Sequence, residues 1–224
     1  GCVLPAGLKQ GPARQAMRQA GLPDSTGATT INKICGSGMK AVMQAADAIK
    51  AGSAEIVVAG GMESMSNAPY LMDKARAGFR MGHGKVIDHM FQEGLEDAET
   101  GLSMGILAQE MADKKGYTRE QQDDYAIGSL NKAVTAVQQG FFKDEIVPVT
   151  VSSRKGDVVV EQDEQPLNAK ADKIPTLRPA FKKDGTITAA NASSISDGAS
   201  ALVITSSEIA AQRNLKPLAN IVAY

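Results

Sequence analysis

Apolar residues at helical spacing define the clearest predicted element near the start of the chain, between Ser37 and Ala51. They recur every three or four positions, so they fall on one face of a helix. The residues on that face are Met39, Val42, Met43, Ala46 and Ile49. Gly52 follows directly, and glycine is a common helix stop. The pattern therefore predicts a helix over 37–51 that ends at Gly52.

Two short β-prone runs flank this helix. Residues Ala28 to Ile34 come before it, and the apolar run Glu55 to Ala59, closed by Gly60 and Gly61, comes after it. A strand, a helix and a strand at this spacing predict a βαβ unit, which favours a parallel or mixed sheet covered by helices.

The pattern changes between about Glu63 and Gly185, where the chain is polar, charged and often interrupted. Helices are predicted at Met104–Lys115 and after Thr118, which can form a capping box with Gln121. The apolar face of the second helix consists of Ile127, Leu130, Val134 and Val137. Short extended pieces are predicted at Glu145–Val151 and Val158–Glu161.

A sheet-like pattern returns after this region, at Thr186–Ala190 and Ala201–Thr205, and a further helix is predicted to begin near Ser207. The sequence therefore predicts an α/β fold, in which helices cover a mixed sheet and a large segment is inserted between two of its strands.

The composition argues against several classes of protein. The 224 residues carry 24 Lys and Arg against 25 Asp and Glu, so no excess charge favours nucleic acid or an anionic membrane as a partner. Aromatic residues make up 4% of the chain and tryptophan is absent, which argues against stacking on bases. No run of about 18 apolar residues predicts a membrane span.

The chain has two cysteines and two histidines. Cys2 and Cys35 are too few for a disulfide framework, so we expect free thiols and a reducing, cytoplasmic location. His83 and His89 have no cysteine nearby, so no metal site is predicted, and both are expected to be solvated loop residues.

Cys35 lies between a predicted strand and the first turn of the predicted helix. The unpaired N–H groups and positive dipole at a helix start stabilise a thiolate, and they can also hold the oxyanion of a tetrahedral intermediate. Gly36 and Gly38 would let backbone approach a substrate closely. From these residues alone, a nucleophile and an inert cysteine buried as a small apolar side chain are both open readings.

The segment around this cysteine, Asn32–Ala41 (NKICGSGMKA), resembles the nucleophile segment of the thiolases. Four further segments resemble thiolase motifs in the same order along the chain. They are Pro12–Gln15 (PARQ), Ala59–Ser66 (AGGMESMS), Leu177–Phe181 (LRPAF), and Ala190–Ser193 (ANAS) followed by Asp197–Ala199 (DGA). The chain is therefore identified as a member of the thiolase family, with its closest likeness to the acetyl-CoA acetyltransferases.

The resemblance implies the N-terminal half of the thiolase fold. Residues 1–62 and 186–215 would form its α/β domain, incomplete at its start. Residues 63–185 would be the inserted loop domain that covers coenzyme A, and 216–224 would begin the C-terminal domain. The family's Gly-His-Pro histidine and its second cysteine are absent, so we expect that these 224 residues alone do not turn over.

The resemblance also implies a mechanism. The thiol matching Cys35 would attack an acyl-CoA thioester and carry the acyl group, and a second acyl-CoA would then attack as a carbanion. Condensation of two acetyl-CoA to acetoacetyl-CoA, or the reverse thiolysis, would follow with ping-pong kinetics. Coenzyme A and acyl-CoA would be substrates, with no permanently bound cofactor, and the protein would assemble as a dimer or tetramer.

Seven positions match residues that contact coenzyme A in the family. They are Leu95, Ser103, Met104, Ala180, Phe181, Ala189 and Ser193. Leu95, Met104 and Phe181 also fit a simple role in the core. Short-chain thiolases often carry His-Met where this chain has Ser103-Met104, which keeps a degradative thiolase of longer 3-ketoacyl-CoA substrates open as an alternative.

Two alternatives of other classes also remain. A cysteine hydrolase would need His83 or His89 oriented toward Cys35, and it would release an acid without a second coenzyme A substrate. A non-catalytic thiolase-like protein would bind coenzyme A without becoming acylated at Cys35.

Overall fold

The computed structural model describes every residue from Gly1 to Tyr224. Its α-helices are α1 (Pro12–Gln19), α2 (Ser37–Lys50), α3 (Met104–Lys115), α4 (Arg119–Gln138), α5 (Glu164–Asn168) and α6 (Ser207–Gln212). Its strands are β1 (Ile56–Glu63), β2 (Tyr70–Leu71), β3 (Ile87–Asp88), β4 (Val149–Ser153), β5 (Gly156–Val160) and β6 (Gly198–Thr205). Short 3₁₀ turns occupy Met65–Asn67 and Ala171–Thr176, and a π-helical turn occupies Phe91–Leu95. No helix is long and apolar enough to cross a membrane.

The chain divides into two compact units. The first comprises Gly1–Gly101 and Ile195–Tyr224, and the second comprises Leu102–Ser194. A large segment is thus inserted into the first unit, but the boundaries of the units differ from the domain boundaries predicted from the sequence. Residues 63–101 belong to the compact unit that contains Cys35, and residues 186–194 belong to the other.

The first unit is built on β1 and β6. These strands pair antiparallel, from Ile56 opposite Thr205 to Glu63 opposite Gly198. On the other side of β1, the nitrogen of Gly1 donates to the Gly60 carbonyl at 2.8 Å, and the Gly1 carbonyl accepts from the Met62 N–H at 3.0 Å. These two hydrogen bonds of Gly1 follow the pattern of parallel strands. The segment at Gly1 therefore runs parallel to β1, whereas β6 runs antiparallel to it.

The βαβ prediction was wrong in its first strand. Residues 28–32 form no strand, and only an isolated bridge joins Lys33 to Cys35. The β-prone side chains there lie in an extended segment whose Ile31 carbonyl accepts from the Cys2 N–H at 3.0 Å. The predicted strand at Thr186–Ala190 is also absent, because its backbone hydrogen-bonds to side chains of Gln109 and Asn191 instead of to another strand.

Helices were predicted more accurately, because their signals are local. Helix α3 has the predicted bounds, and α2 ends one residue before the predicted end. Helix α4 begins with the predicted capping box, in which Thr118 and Gln121 exchange side-chain-to-backbone hydrogen bonds. The β1 strand, by contrast, continues past its predicted end at Ala59, through Gly60 and Gly61 to Glu63.

Asp197 connects the start of β6 to the turn that follows β1 through hydrogen bonds. Its carboxylate accepts from the Ser66 N–H at 2.9 Å and from the Ser64 hydroxyl at 3.3 Å. The backbone hydrogen bond from Ser66, with a smaller contribution from the Ser66 and Ser64 side chains, lowers the pKa of Asp197 below its ordinary value. A lowered native pKa adds stability above the unfolded value of about 3.9, and that stability is lost as the pH falls through the native value.

We therefore expect Asp197→Asn to lower the free energy of unfolding at pH 7 by at most about 1 kcal/mol, because the carboxylate is largely solvated. The difference from the unaltered protein should shrink at a second, lower pH, below the lowered native pKa of Asp197. Urea denaturation at both pH values measures it, with Asp157→Asn on the exposed strand β5 as control. A difference that persists undiminished at low pH would contradict this assignment.

Candidate active site

The turn that carries Cys35 is held by Ser37, whose side chain is only 4% exposed. The Ser37 hydroxyl accepts from the Lys33 N–H at 2.8 Å and donates to the Ile34 carbonyl at 2.6 Å. The Ile34 N–H in turn donates to Asn32 Oδ1 at 2.9 Å. These three hydrogen bonds fix the backbone on the N-terminal side of Cys35, so the polar residues of the segment have a structural role that the sequence did not reveal.

Ile34 adopts a left-handed backbone conformation, with φ of 49°. This conformation is unfavourable for a β-branched residue, because its Cβ crowds the backbone. Strain of this kind persists only where the surroundings impose it, and it is concentrated at functional sites. The left-handed conformation of Ile34 turns the backbone so that the next residue, Cys35, is exposed to solvent.

Close packing between glycines places the start of α2 against β1. A methyl group on Gly61 would lie 3.2 Å from the Cα of Gly38, and one on Gly60 would lie 1.9 Å from the carbonyl oxygen of Ser200. Side chains at these positions would therefore push α2 away from β1, or β1 away from β6. The glycines of the AGG and CGSG segments thus bring the cysteine turn onto the sheet.

Cys35 lies on the wall of a cavity of about 590 Å³ in the first unit. The cavity is also lined by the start of α2, the second half of β1, and β6 at Gly198, Ala199 and Ser200. The N-cap residue of α2 is Gly36, which has no side chain to accept a hydrogen bond from the first N–H groups of the helix. The N–H groups of Gly36 and Ser37 donate to the Lys33 and Ile34 carbonyls, at 3.1 Å and 3.0 Å, so it is the positive end of the helix dipole that can stabilise a thiolate or an oxyanion at Cys35.

Glu63 is the only carboxylate on that wall, and the sequence did not mark it as important. Its side chain accepts from the Val3 N–H at 2.9 Å and from the Leu4 N–H at 2.8 Å. Both oxygens are engaged by backbone, so Glu63 holds the segment 1–4 against β1. We assign it this structural role and not that of a catalytic base.

Cys2 is a different kind of cysteine, 2% exposed in the core. Its thiol donates to Glu63 Oε1 at 3.7 Å. Burial raises the pKa of the Cys2 thiol, and the negative charge of Glu63 adds to the rise. Cys2 therefore stays protonated and inaccessible at neutral pH.

The two cysteines should consequently react very differently with an alkylating reagent. We expect iodoacetamide at pH 7 to modify Cys35 at least about tenfold faster than Cys2, because only an accessible thiolate reacts. Peptide mass spectrometry over time measures both rates, and unfolding in urea should make them similar. Equal rates in the folded protein would contradict the burial of Cys2 or the exposure of Cys35.

The histidines do not both behave as predicted. His83 is exposed, but His89 is only 5% exposed, and neither of its ring nitrogens has a hydrogen-bond partner. The expectation that His89 is a solvated loop residue was wrong, because it lies between β3 and the π-helical turn at Phe91–Leu95 and not in an open loop. Neither histidine lines the Cys35 cavity.

Three of the seven predicted coenzyme-contacting residues lie around the start of α3. Ser103 is the N-cap of this helix, and its hydroxyl accepts from the Ile106 N–H. Met104 is 40% exposed beside it. The ring of Phe181 lies against Gly105, since a methyl group on that glycine would be 2.3 Å from it. Ser103 thus has a capping role independent of any ligand.

The other four predicted contacts are divided among separate places. Ala180 is exposed, and its N–H donates to the Ile187 carbonyl at 2.9 Å. Ala189 and Ser193 line a second cavity, of about 1200 Å³, within the second unit. Leu95 is half-buried and belongs to the first unit, at the end of the π-helical turn. The role of all seven in binding coenzyme A stays a prediction.

The fold and the site together define an α/β protein that presents one exposed cysteine at a helix start beside a cavity. Its sequence matches the family model of the thiolase N-terminal domain over residues 1–208. The chain therefore belongs to the thiolase family, which confirms the prediction made from its five motif segments.

The relatives of this chain include two bacterial proteins named acetyl-CoA acetyltransferase. The protein from Escherichia coli (strain K12) is 52% identical over 226 residues, covering 100% of this chain and 57% of the relative. That from Chromobacterium violaceum is 51% identical over 226 residues, covering 100% of this chain and 58% of the relative. The chain thus spans little more than half the length of these relatives.

Solved structures show the same likeness. The acetyl-CoA acetyltransferase of Bacillus anthracis is 40% identical with a TM-score of 0.91, covering 97% of this chain and 55% of that one. The Acat5 thiolase of Ascaris suum, solved in complex with coenzyme A, is 43% identical with a TM-score of 0.88 over the same shares. The predicted fold class, the N-terminal half of the α/β thiolase fold, is therefore confirmed.

Proposed function

We propose that this protein transfers acyl groups between coenzyme A thioesters, condensing two acetyl-CoA to acetoacetyl-CoA or catalysing the reverse thiolysis. The observation that carries the proposal is the exposed Cys35 at the uncapped start of α2, on the wall of a cavity. Membership of the thiolase family supports it. The proposed setting is the cytoplasm, as a dimer or tetramer without a permanently bound cofactor.

In the first half-reaction, the Cys35 thiolate attacks the thioester carbonyl of acetyl-CoA, and the negative charge moves to the carbonyl oxygen. The positive end of the α2 dipole can stabilise this oxyanion. The tetrahedral intermediate then expels the thiolate of coenzyme A, which leaves acetyl-Cys35. Exposure of the thiol favours access of a thioester to the sulfur.

In the second half-reaction, the α-carbon of another acetyl-CoA loses a proton to a general base, a task that falls to the second cysteine in the thiolase family. The resulting carbanion attacks acetyl-Cys35, which releases acetoacetyl-CoA and the Cys35 thiolate. Ping-pong kinetics follow from the covalent intermediate. We propose that Leu95, Ser103, Met104, Ala180, Phe181, Ala189 and Ser193 contact the coenzyme during both half-reactions.

Incubation with acetyl-CoA and analysis of the Cys35 peptide by mass spectrometry tests the proposal. The protein should be used with whatever residues flank 1–224. We expect one acetyl group on Cys35, which is lost when coenzyme A is added. A non-catalytic protein would bind coenzyme A without the acetyl adduct, and a hydrolase would release acetate without any need for coenzyme A.

A degradative thiolase of longer 3-ketoacyl-CoA substrates is a second candidate, favoured by Ser103 at the start of α3. A comparison of kcat/KM for acetoacetyl-CoA and a long-chain 3-ketoacyl-CoA distinguishes the two. We expect acetoacetyl-CoA to be preferred, and a clear preference for the long chain would favour the second candidate.

A further inference from the structure

The cavity of about 1200 Å³ in the second unit has two walls that are not built from long elements. One wall is the segment 173–177, which contains the end of a 3₁₀ turn, and the other is the loop 189–193. Helix α4 forms a further side through residues such as Tyr125 and Ser129. Short irregular segments keep a defined spacing only if side chains hold them.

A single buried carboxylate on α4 is connected to both walls. Asp123 is only 4% exposed. Its Oδ2 accepts from Arg119 Nε at 2.6 Å, and its Oδ1 accepts from Asn191 Nδ2 at 3.0 Å. Each oxygen of the carboxylate thus accepts from a different residue. One of these residues is connected to the first wall of the cavity, and the other lies in the second wall.

Arg119 extends the connection to the first wall. Its Nη2 donates to the carbonyls of Ile174 and Leu177, each at 3.0 Å. The guanidinium is planar and rigid, so fixing its Nε on Asp123 also fixes the direction of Nη2. The segment 174–177 is therefore held at a set distance from α4.

Asn191 makes the corresponding connection on the second wall. Its Oδ1 accepts from the Thr188 N–H at 2.7 Å, and its Nδ2 donates to the Thr186 carbonyl at 3.1 Å as well as to Asp123. This one side chain thus closes the loop on itself and attaches it to α4. Ala189 and Ser193, which line the cavity, lie within two residues of it.

We propose that Asp123 is a positioning residue for acyl-CoA, which sets the spacing of the two cavity walls by holding Arg119 and Asn191 at once. The inference rests on the proposed function, because it takes this cavity as part of the coenzyme site. Removing the charge of Asp123 leaves a guanidinium without its anion and weakens the bond to Asn191. Substrate binding must then order both walls, so affinity falls while the chemistry at Cys35 does not change.

The test uses the protein with its flanking residues, below its melting temperature. The variants are Asp123→Asn, Arg119→Lys and Asn191→Ala, with Asp124→Asn as matched control, because Asp124 is the exposed neighbour on the same helix. Calorimetry gives the Kd for coenzyme A, and thiolysis of acetoacetyl-CoA gives KM and kcat.

We expect Asp123→Asn to raise Kd and KM about tenfold with kcat changed less than about twofold, a loss of the size of one buried charged hydrogen bond. Arg119→Lys and Asn191→Ala should each raise Kd. When either is combined with Asp123→Asn, the change in binding free energy should be smaller than the sum of the two separate changes. The control should not change Kd, KM or kcat.

Unchanged Kd and KM in folded Asp123→Asn would overturn the proposal, as would a fall in kcat larger than the rise in KM. If Asp123→Asn does not fold, the other two variants decide, because a lower melting temperature with unchanged Kd in both would make the network purely structural. Failure of the unaltered protein to bind coenzyme A would overturn the proposed function, and this inference with it.

Discussion

Replacing Cys35 with alanine is expected to lower kcat for thiolysis of acetoacetyl-CoA by at least about 10³-fold. A fall in rate of this size is expected when the nucleophile of a covalent mechanism is removed. The thiol is exposed, so alanine removes the reacting sulfur with little loss of packing. No other thiol lies on the cavity wall. Ser37 is buried with its hydroxyl engaged by Lys33 and Ile34, and the oxygens of Glu63 accept backbone N–H groups.

Cys35→Ser should lose nearly as much activity, because a serine hydroxyl is not ionised at neutral pH and no histidine lines the cavity to activate it. Both variants should keep the melting temperature and the Kd for coenzyme A of the unaltered protein. Cys2→Ala serves as the control for activity, since Cys2 is buried away from the reaction. Activity of Cys35→Ala within about tenfold of the unaltered protein would show that another residue is the nucleophile.

Gly60→Ala is expected to destabilise the first unit by about 3 kcal/mol or more, near or beyond the upper end of ordinary overpacking. A methyl group at this position would be 1.9 Å from the Ser200 carbonyl oxygen and 2.8 Å from its carbonyl carbon. These atoms belong to the backbone of β6, so they cannot move aside as the end of a flexible side chain would. The pair Gly60–Ala201 must separate, and the ladder between β1 and β6 must be distorted.

A matched control is available in the same ladder. Gly198 pairs with Glu63, and a methyl group on it would have no atom within 4 Å. Gly198→Ala should therefore change the free energy of unfolding by less than about 0.5 kcal/mol. Urea denaturation of both variants measures the difference, and equal stability of Gly60→Ala and Gly198→Ala would show that the close approach to Ser200 is not rigid.

Helices could be predicted from the sequence because their signals lie within a few residues. The bounds of α3 and the capping box of Thr118 and Gln121 follow from the local pattern alone. The segments 28–34 and 186–190 show the limit of this approach. Both are β-prone, but a strand needs a partner, and the backbone of Thr186 and Ile187 is instead bound by the side chain of Gln109, more than 70 residues away in sequence.

The candidate site, like the fold, was predictable only where its features lie close together in sequence. Cys35 could be named as a candidate nucleophile from its glycines and its place before a helix, because these features are adjacent in sequence, and its catalytic role stays a prediction. The role of Glu63 could not be predicted, since it depends on a contact with residues 3 and 4 across 60 positions. Nor could that of Asp123, whose bond to Asn191 spans 68 positions. Polar residues that act through distant backbone carry no local pattern.

The ladder between β1 and β6 also has a consequence for synthesis of the chain. Its two strands are far apart in sequence, as the hydrogen bond from Thr205 to the Glu55 carbonyl across 150 residues shows. A ribosome that adds about 5–20 residues per second needs roughly 8 to 30 seconds to synthesise these 150 residues. The inserted unit leaves the ribosome after β1 but before β6, and until β6 is made the edge of β1 that pairs with it stays unpaired. The wall of the Cys35 cavity that β6 supplies can therefore form only after the inserted unit has been synthesised.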